Sequence, residues 1–170
     1  ITWGKGDTLY VAPGSIIIMN FHLQNSFAGW IIQSDLIRGE LLFSADQRTH
    51  SRFKTVITTP TLSLNSPQGL LSIRYYPQAQ AARIRMLYKT SFLSAPNGDV
   101  IRLAPCIKIL VQDNGAVSSS IWITPSDVDE LENIFSSEVI NRFIDSCDCS
   151  LLRKEYLNRP PYWNIKPRSR

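Results

Sequence analysis

Residues 36–60, LIRGELLFSADQRTHSRFKTVITTP, pose the question on which the fold turns. Two apolar runs, GELLFSA at 39–45 and RFKTVITT at 52–59, flank a polar middle that carries Arg48, His50 and Arg52. Both runs are rich in aromatic, aliphatic and β-branched residues, which suit a pleated, half-buried surface. In the second run Lys54 and Thr58 alternate with Phe53, Thr55 and Ile57, the two-residue period of a strand with one buried face. Pro60 ends it, because proline cannot donate to a ladder. The segment therefore reads as strand, polar connection, strand.

Outward from this segment the same pattern repeats. TLYV at 8–11 precedes Pro13-Gly14, a turn signal, and the apolar run at 16–23 follows. On the other side LLSIRYY at 70–76 stops at Pro77. The run 83–93 opens with Arg83 and Arg85 alternating against Ile84 and Met86. Asn97-Gly98 and Asn114-Gly115 are hairpin dipeptides, and they bracket a long run at 99–112 in which Pro105 marks an edge or a bulge. AVSSSIWIT at 116–124 closes the series. Eight or nine strands separated by turns predict an all-β sandwich or barrel over residues 1–125. Only residues 25–36 leave strand and short helix both open.

A helix is expected next. Ser126 reads as its N-cap with Asp129 three residues on, and acidic residues crowd the first turn, where the helix dipole favours them. Val128, Leu131, Ile134, Phe135, Ile140, Phe143 and Ile144 recur at three- and four-residue steps, so one face is apolar. The helical unit spans 126–149. Residues 150–170 contain Pro160, Pro161 and Pro167, which prevent regular structure. They also hold Tyr156, Tyr162 and Trp163 among Arg153, Lys154, Arg159, Lys166, Arg168 and Arg170. The expectation is an extended basic arm ordered by contact, either with RNA through phosphate charge and base stacking or with neighbouring protein.

Charge is separated along the chain. The net value is +4, but residues 1–125 hold eleven basic against six acidic side chains, 126–149 one against seven, and 150–170 six against one. Such blocks point to a partner for the terminal part. Arg74, Arg83, Arg85, Arg102 and Lys108 fall on strands. They read as ordinary outward faces, with a phosphate-binding sheet face as the alternative.

Other function classes find little support. Apolar content of 44% and charged content of 19% over 170 residues describe a globular chain. The longest apolar run is far below the roughly 18 residues of a membrane span, so no membrane is expected. There is no signal peptide pattern, and Ile1 in place of Met suits either a trimmed chain or one released by a protease from a longer precursor. Three cysteines, an odd number, argue against a disulfide framework. Cys106 is expected as a buried apolar residue, and Cys147-x-Cys149 lacks the further ligands zinc needs, since His22 and His50 sit in early β-like segments. No metal or cofactor is implied. G-x-S-x-G, P-loop and H-E-x-x-H motifs are missing, Gly4-Lys5-Gly6 is too short to cradle phosphate, and His50 beside Asp46 has no nucleophile. No catalytic residue is expected, and the chain reads as a non-enzyme. His22 is expected to be a strand residue satisfied by backbone.

One resemblance joins these readings. Arg38-Gly39-Glu40-Leu41-Leu42-Phe43, followed after a polar connection by Lys54-Thr55-Val56-Ile57-Thr58-Thr59-Pro60, resembles a strand pair of picornavirus-like capsid proteins. The small size is similar to that of the divided capsid proteins of cheravirus-type plant viruses. The resemblance implies an eight-stranded jelly roll in a structural capsid protein of a small icosahedral positive-strand RNA virus. It would assemble in the host cytoplasm with copies of itself and other capsid chains around genomic RNA, and reside in the virion. A competing class is a non-enzymatic β-sandwich that binds carbohydrate or a protein, for which Trp3, Trp30, Trp122 and Trp163 are available. A third is a nucleic-acid-binding or viral movement protein.

Overall fold

The computed structural model describes residues 1–3, 7–25, 29–45, 53–136 and 139–140. Within them the strands are β1 (Thr2–Trp3), β2 (Asp7–Val11), β3 (Ile16–Asn25), β4 (Gly29–Ala45), β5 (Phe53–Thr59), β6 (Leu62–Asn65), β7 (Gly69–Tyr76), β8 (Ala81–Tyr88), β9 (Ser91–Ser94), β10 (Val100–Leu103), β11 (Ile107–Gln112) and β12 (Ile121–Trp122). One helix, α1 (Pro125–Phe135), follows.

β4 organises the rest. Its first half lies between β3, antiparallel from Ile16↔Arg38 to Asn25↔Gly29, and β5, parallel from Trp30↔Phe53 to Asp35↔Thr58. Its second half lies between β2 and β7, both antiparallel. The turn of the strand from one set of neighbours to the other falls at Gly39, whose φ is +91°. A Cβ there would stand 2.3 Å from Ser15 Oγ and 2.7 Å from Ser15 Cα, so only glycine fits, for conformation and for space. Ser15 closes the corner by donating to the Glu40 carbonyl at 3.0 Å and accepting from the Glu40 N–H at 2.9 Å.

Two layers result, joined into one curled sheet. The first runs β3-β4-β5-β6-β9-β10 and the second β1-β2-β4-β7-β8-β11-β12. Leu9, Ile32, Leu36, Phe43, Ile57, Ile84 and Met86 fill the concave side. Alternation is kept along β5, where Thr55 and Ile57 are buried and Lys54 is exposed. It fails in β4 and β7, where Glu40 to Ser44 and Gly69 to Ile73 are buried without a break. Both faces are covered there: Leu41 and Phe43 enter the concave core, whereas Leu42 and Leu70 belong to a second cluster with Leu131, Phe135 and Ile140 beneath α1.

The all-β expectation holds, with twelve strands among the described residues in place of eight. The excess has local causes. Leu62 and Leu64 alternate over only four residues among turn formers, and the two longest expected runs each break, into β8 with β9 and β10 with β11. Of the segment left open, residues 29–36 are strand and 26–28 lie outside the described residues. The helix begins at Pro125 with Thr124 as N-cap, two residues before the expected cap Ser126. Residues 141–149 and the arm at 150–170, with all nine of its candidate contact residues, lie outside the described residues, as do His50, Cys147 and Cys149. Among the described residues no helix is long and apolar enough to cross a membrane.

Candidate functional site

Cross-strand register gathers the charges of the second layer on one patch of its convex face. Glu40 opposes Arg74 and Arg74 opposes Arg83, while Ser72 opposes Arg85 and Arg85 opposes Lys108. α1 crosses above, with Asp127 and Glu130 turned to the sheet. Arg85 is fully buried and meets three carboxylates: Glu40 at 3.0 Å, Asp127 at 3.3 Å, and Glu130 through a direct hydrogen bond from Nη2. Arg74 and Arg83 donate to Glu130 Oε1 at 2.6 and 2.7 Å, and both guanidinium groups lie over the Tyr76 ring, 5.1 and 5.8 Å from its centre. Lys108 Nζ reaches Asp127 Oδ2 at 2.6 Å. Ser72 donates to Glu40 Oε1.

The electrostatics make this a clamp. Burial alone would raise the Asp127 carboxyl above its ordinary value, but the hydrogen bonds from Lys108 and Thr124 outweigh it and hold the group below. Burial also opposes ionisation of Glu130, and the Arg83 hydrogen bond with the charges of Arg85, Arg83 and Arg74 again wins. Both carboxylates stay ionised at neutral pH, and Arg74, Arg83, Arg85 and Lys108 are engaged by them. The outward-face reading of Arg85 is thereby corrected: it points away from the concave core, yet α1 seals it completely. Among the described residues no group of His, Cys, Asp and Glu could hold a metal ion.

Among the described residues the first layer is open where the second is covered. β3 presents Ile16, Ile18, Phe21 and Leu23 at 43%, 51%, 59% and 58% exposure, and His22 beside them is exposed too. Ile17 and Met19 pack on the concave core, and Phe21 and Leu23 continue their row beyond its cover. Among the described residues β4 is the only strand that pairs with β3. On the convex side of this layer Asp35 accepts from Gln33 at 2.8 Å, from Asn20 at 3.4 Å and from Thr58.

The three described tryptophans do not converge, and Trp163 lies outside the described residues. Trp3 is buried, donates to Thr55 Oγ1 at 3.2 Å and packs 6.2 Å from the Phe43 ring, whereas Trp30 and Trp122 are 43% and 40% exposed on different layers. Cys106 is buried as expected, and it is also disulfide-bonded, which the reading of it as a small apolar residue did not include. The sequence placed the first-turn acids, Asp127 among them, at the helix dipole, and it assigned no site role to Glu130 or to Glu40, which figured only in the capsid resemblance. The signal was present in the opposite charge blocks of the sheet and the helix.

No protein-family profile and no curated protein matches the chain. Among the solved structures similar to the chain are two described as a "putative anti-sigma factor" from Parabacteroides distasonis ATCC 8503. One shares 14% identity over 68% of this chain and 55% of its own, with a TM-score of 0.44. The other shares 16% over 78% and 71%, with a TM-score of 0.46. The chain thus spans little more than half the length of the first. These findings correct the capsid reading, since neither similar structure is a capsid protein. The two segments that carried the resemblance also separate physically. Residues 39–43 belong to the second layer, and β5 belongs to the first, where it runs parallel to residues 30–35 of β4.

Proposed function

We propose that the chain is a non-enzymatic module that binds protein by accepting an extended strand at the edge of β3 left open among the described residues. The supporting observation is the character of that edge. β3 runs ten residues, IIIMNFHLQN, with no charged residue and no proline, although edge strands are ordinarily blunted by one or the other. Its irregularities lie only at the ends, between Ile16 and Ile17 and between Leu23 and Asn25. A segment laid beside it gains a ladder of backbone hydrogen bonds for affinity and the row Ile17, Met19, Phe21, Leu23 for side-chain selection. The clamp under α1 serves this reading by holding the second layer rigid. The disulfide at Cys106 favours an oxidising compartment over a reducing cytoplasm.

The test is fluorescence anisotropy with a labelled peptide of alternating apolar residues. Saturable binding weakened about tenfold or more, roughly 1.4 kcal/mol, by Phe21→Lys is the expected result. Absence of binding, or binding indifferent to Phe21→Lys, overturns the proposal.

A further inference from the structure

We infer that the strand accepted by β3 is β3 of a second copy of this chain, paired antiparallel about Asn20; the inference rests on the strand-addition reading above. Two copies of one edge related by a twofold axis pair antiparallel, each residue i meeting residue j while j meets i. Residues directly opposed across such a ladder share a face of the sheet. A slip of one residue would set the apolar row of one copy against the other face of its neighbour. Only registers that oppose odd residues to odd ones keep the row intact.

Among those registers the one centred on Asn20 is distinguished by the sequence itself. Ile17 then opposes the second copy's Leu23, and Met19 opposes its Phe21, so every member of the row meets another member. Centring on Met19 would place Leu23 against Ser15, outside the strand, and centring on Phe21 would place Ile17 against Asn25. The positions of the row are symmetric about Asn20, two apolar residues on each side. Phe21 and Leu23, 59% and 58% exposed in the single chain, are covered by the residues that already pack on each core. On the other face Ile18 meets His22, and no like charges face each other because the strand has none. Neutrality also removes any gain from a charged partner strand. The first layer, whose end strand is β3, becomes one continuous sheet through both copies.

The register supplies its own test. Ile18 and His22 are both exposed, so changing them leaves the core intact, which circular dichroism verifies. The variant Ile18→Lys/His22→Lys sets lysine against lysine across the axis, and Ile18→Glu/His22→Glu sets glutamate against glutamate. Sedimentation velocity of the full chain over a concentration series should show a dimer that each variant weakens about tenfold or more. An equal mixture of the two variants should restore it, because each lysine then meets a glutamate. A dimer unaffected by either variant overturns the inference, as does a mixture that fails to re-form one. A wild-type chain that is monomeric throughout but still binds the labelled peptide overturns the inference and leaves strand addition standing. A monomer that binds no peptide overturns both.

Discussion

Arg85→Met removes the one side chain that touches all three carboxylates beneath α1, and the geometry shows where the cost falls. Asp127 keeps Lys108 at 2.6 Å and the Thr124 N–H at 2.8 Å. Glu130 keeps Arg74 and Arg83 at 2.6 and 2.7 Å. Glu40, only 2% exposed, is left with the Ser72 hydroxyl and an Arg74 nitrogen 3.7 Å away. A buried charge deprived of its close counter-charge costs about 3–5 kcal/mol, and methionine preserves much of the packing, so most of the loss is electrostatic. Adding Glu40→Gln removes the stranded charge while keeping a hydrogen-bonding partner for Ser72. The double variant should therefore recover about 2 kcal/mol or more of the loss, a coupling expected only of groups in one network. Urea unfolding followed by the fluorescence of buried Trp3 provides the measurement. A cost below about 1 kcal/mol for Arg85→Met, or no recovery in the double variant, would refute the clamp as a stabilising element.

Acid should act on the same network. Asp127 and Glu130 titrate lower in the folded chain than in the unfolded one, where ordinary values are about 3.9 and 4.3. Their contribution is thus complete above those values and disappears as pH falls through the folded ones, so unfolding free energy should be flat from about pH 7 to 5 and decline below about pH 4; a rise on acidification would contradict the geometry. Leu131→Ala, which empties the centre of the cluster beneath α1, should cost about 2–5 kcal/mol by the same unfolding measurement, while Asn133→Ala on the exposed side should stay within about 0.5 kcal/mol. Gly39→Ala should cost more than about 2 kcal/mol from backbone strain and the clash with Ser15. With one disulfide among three cysteines, thiol titration of the denatured, unreduced chain should find a single free thiol, and three would contradict the Cys106 bond.

What the sequence disclosed was whatever depends on local period and turn chemistry. The two-residue alternation in 53–59, the hairpin dipeptides at 97–98 and 114–115, and the three- and four-residue steps from Val128 to Phe135 each report one element and its buried side. What it withheld was long-range. That residues 29–36 and 39–45 form a single strand with different neighbours depends on a positive φ at Gly39 and on Ser15, 24 positions earlier, which no local window contains. The run 16–23 is apolar enough to read as buried, because periodicity reports which residues share a face and not whether anything covers it. Glu40 sits in a buried apolar stretch, where a carboxylate is tolerated only because Ser72, Arg74 and Arg85 arrive from two other strands.

Because β4 belongs to both layers, neither can come apart alone. Detaching its first half releases β3 and β5 together, and detaching its second half releases β2 and β7. Partial openings that spare the rest of the molecule are then confined to the periphery, to β10, β12, α1 and β3 itself, while the amides of β4 that face β5, β2 and β7 exchange with solvent only when the whole domain unfolds. A strand added to β3 would lie one ladder away from that cooperative centre, so occupancy of the edge would slow opening on both sides of the Gly39 corner at once.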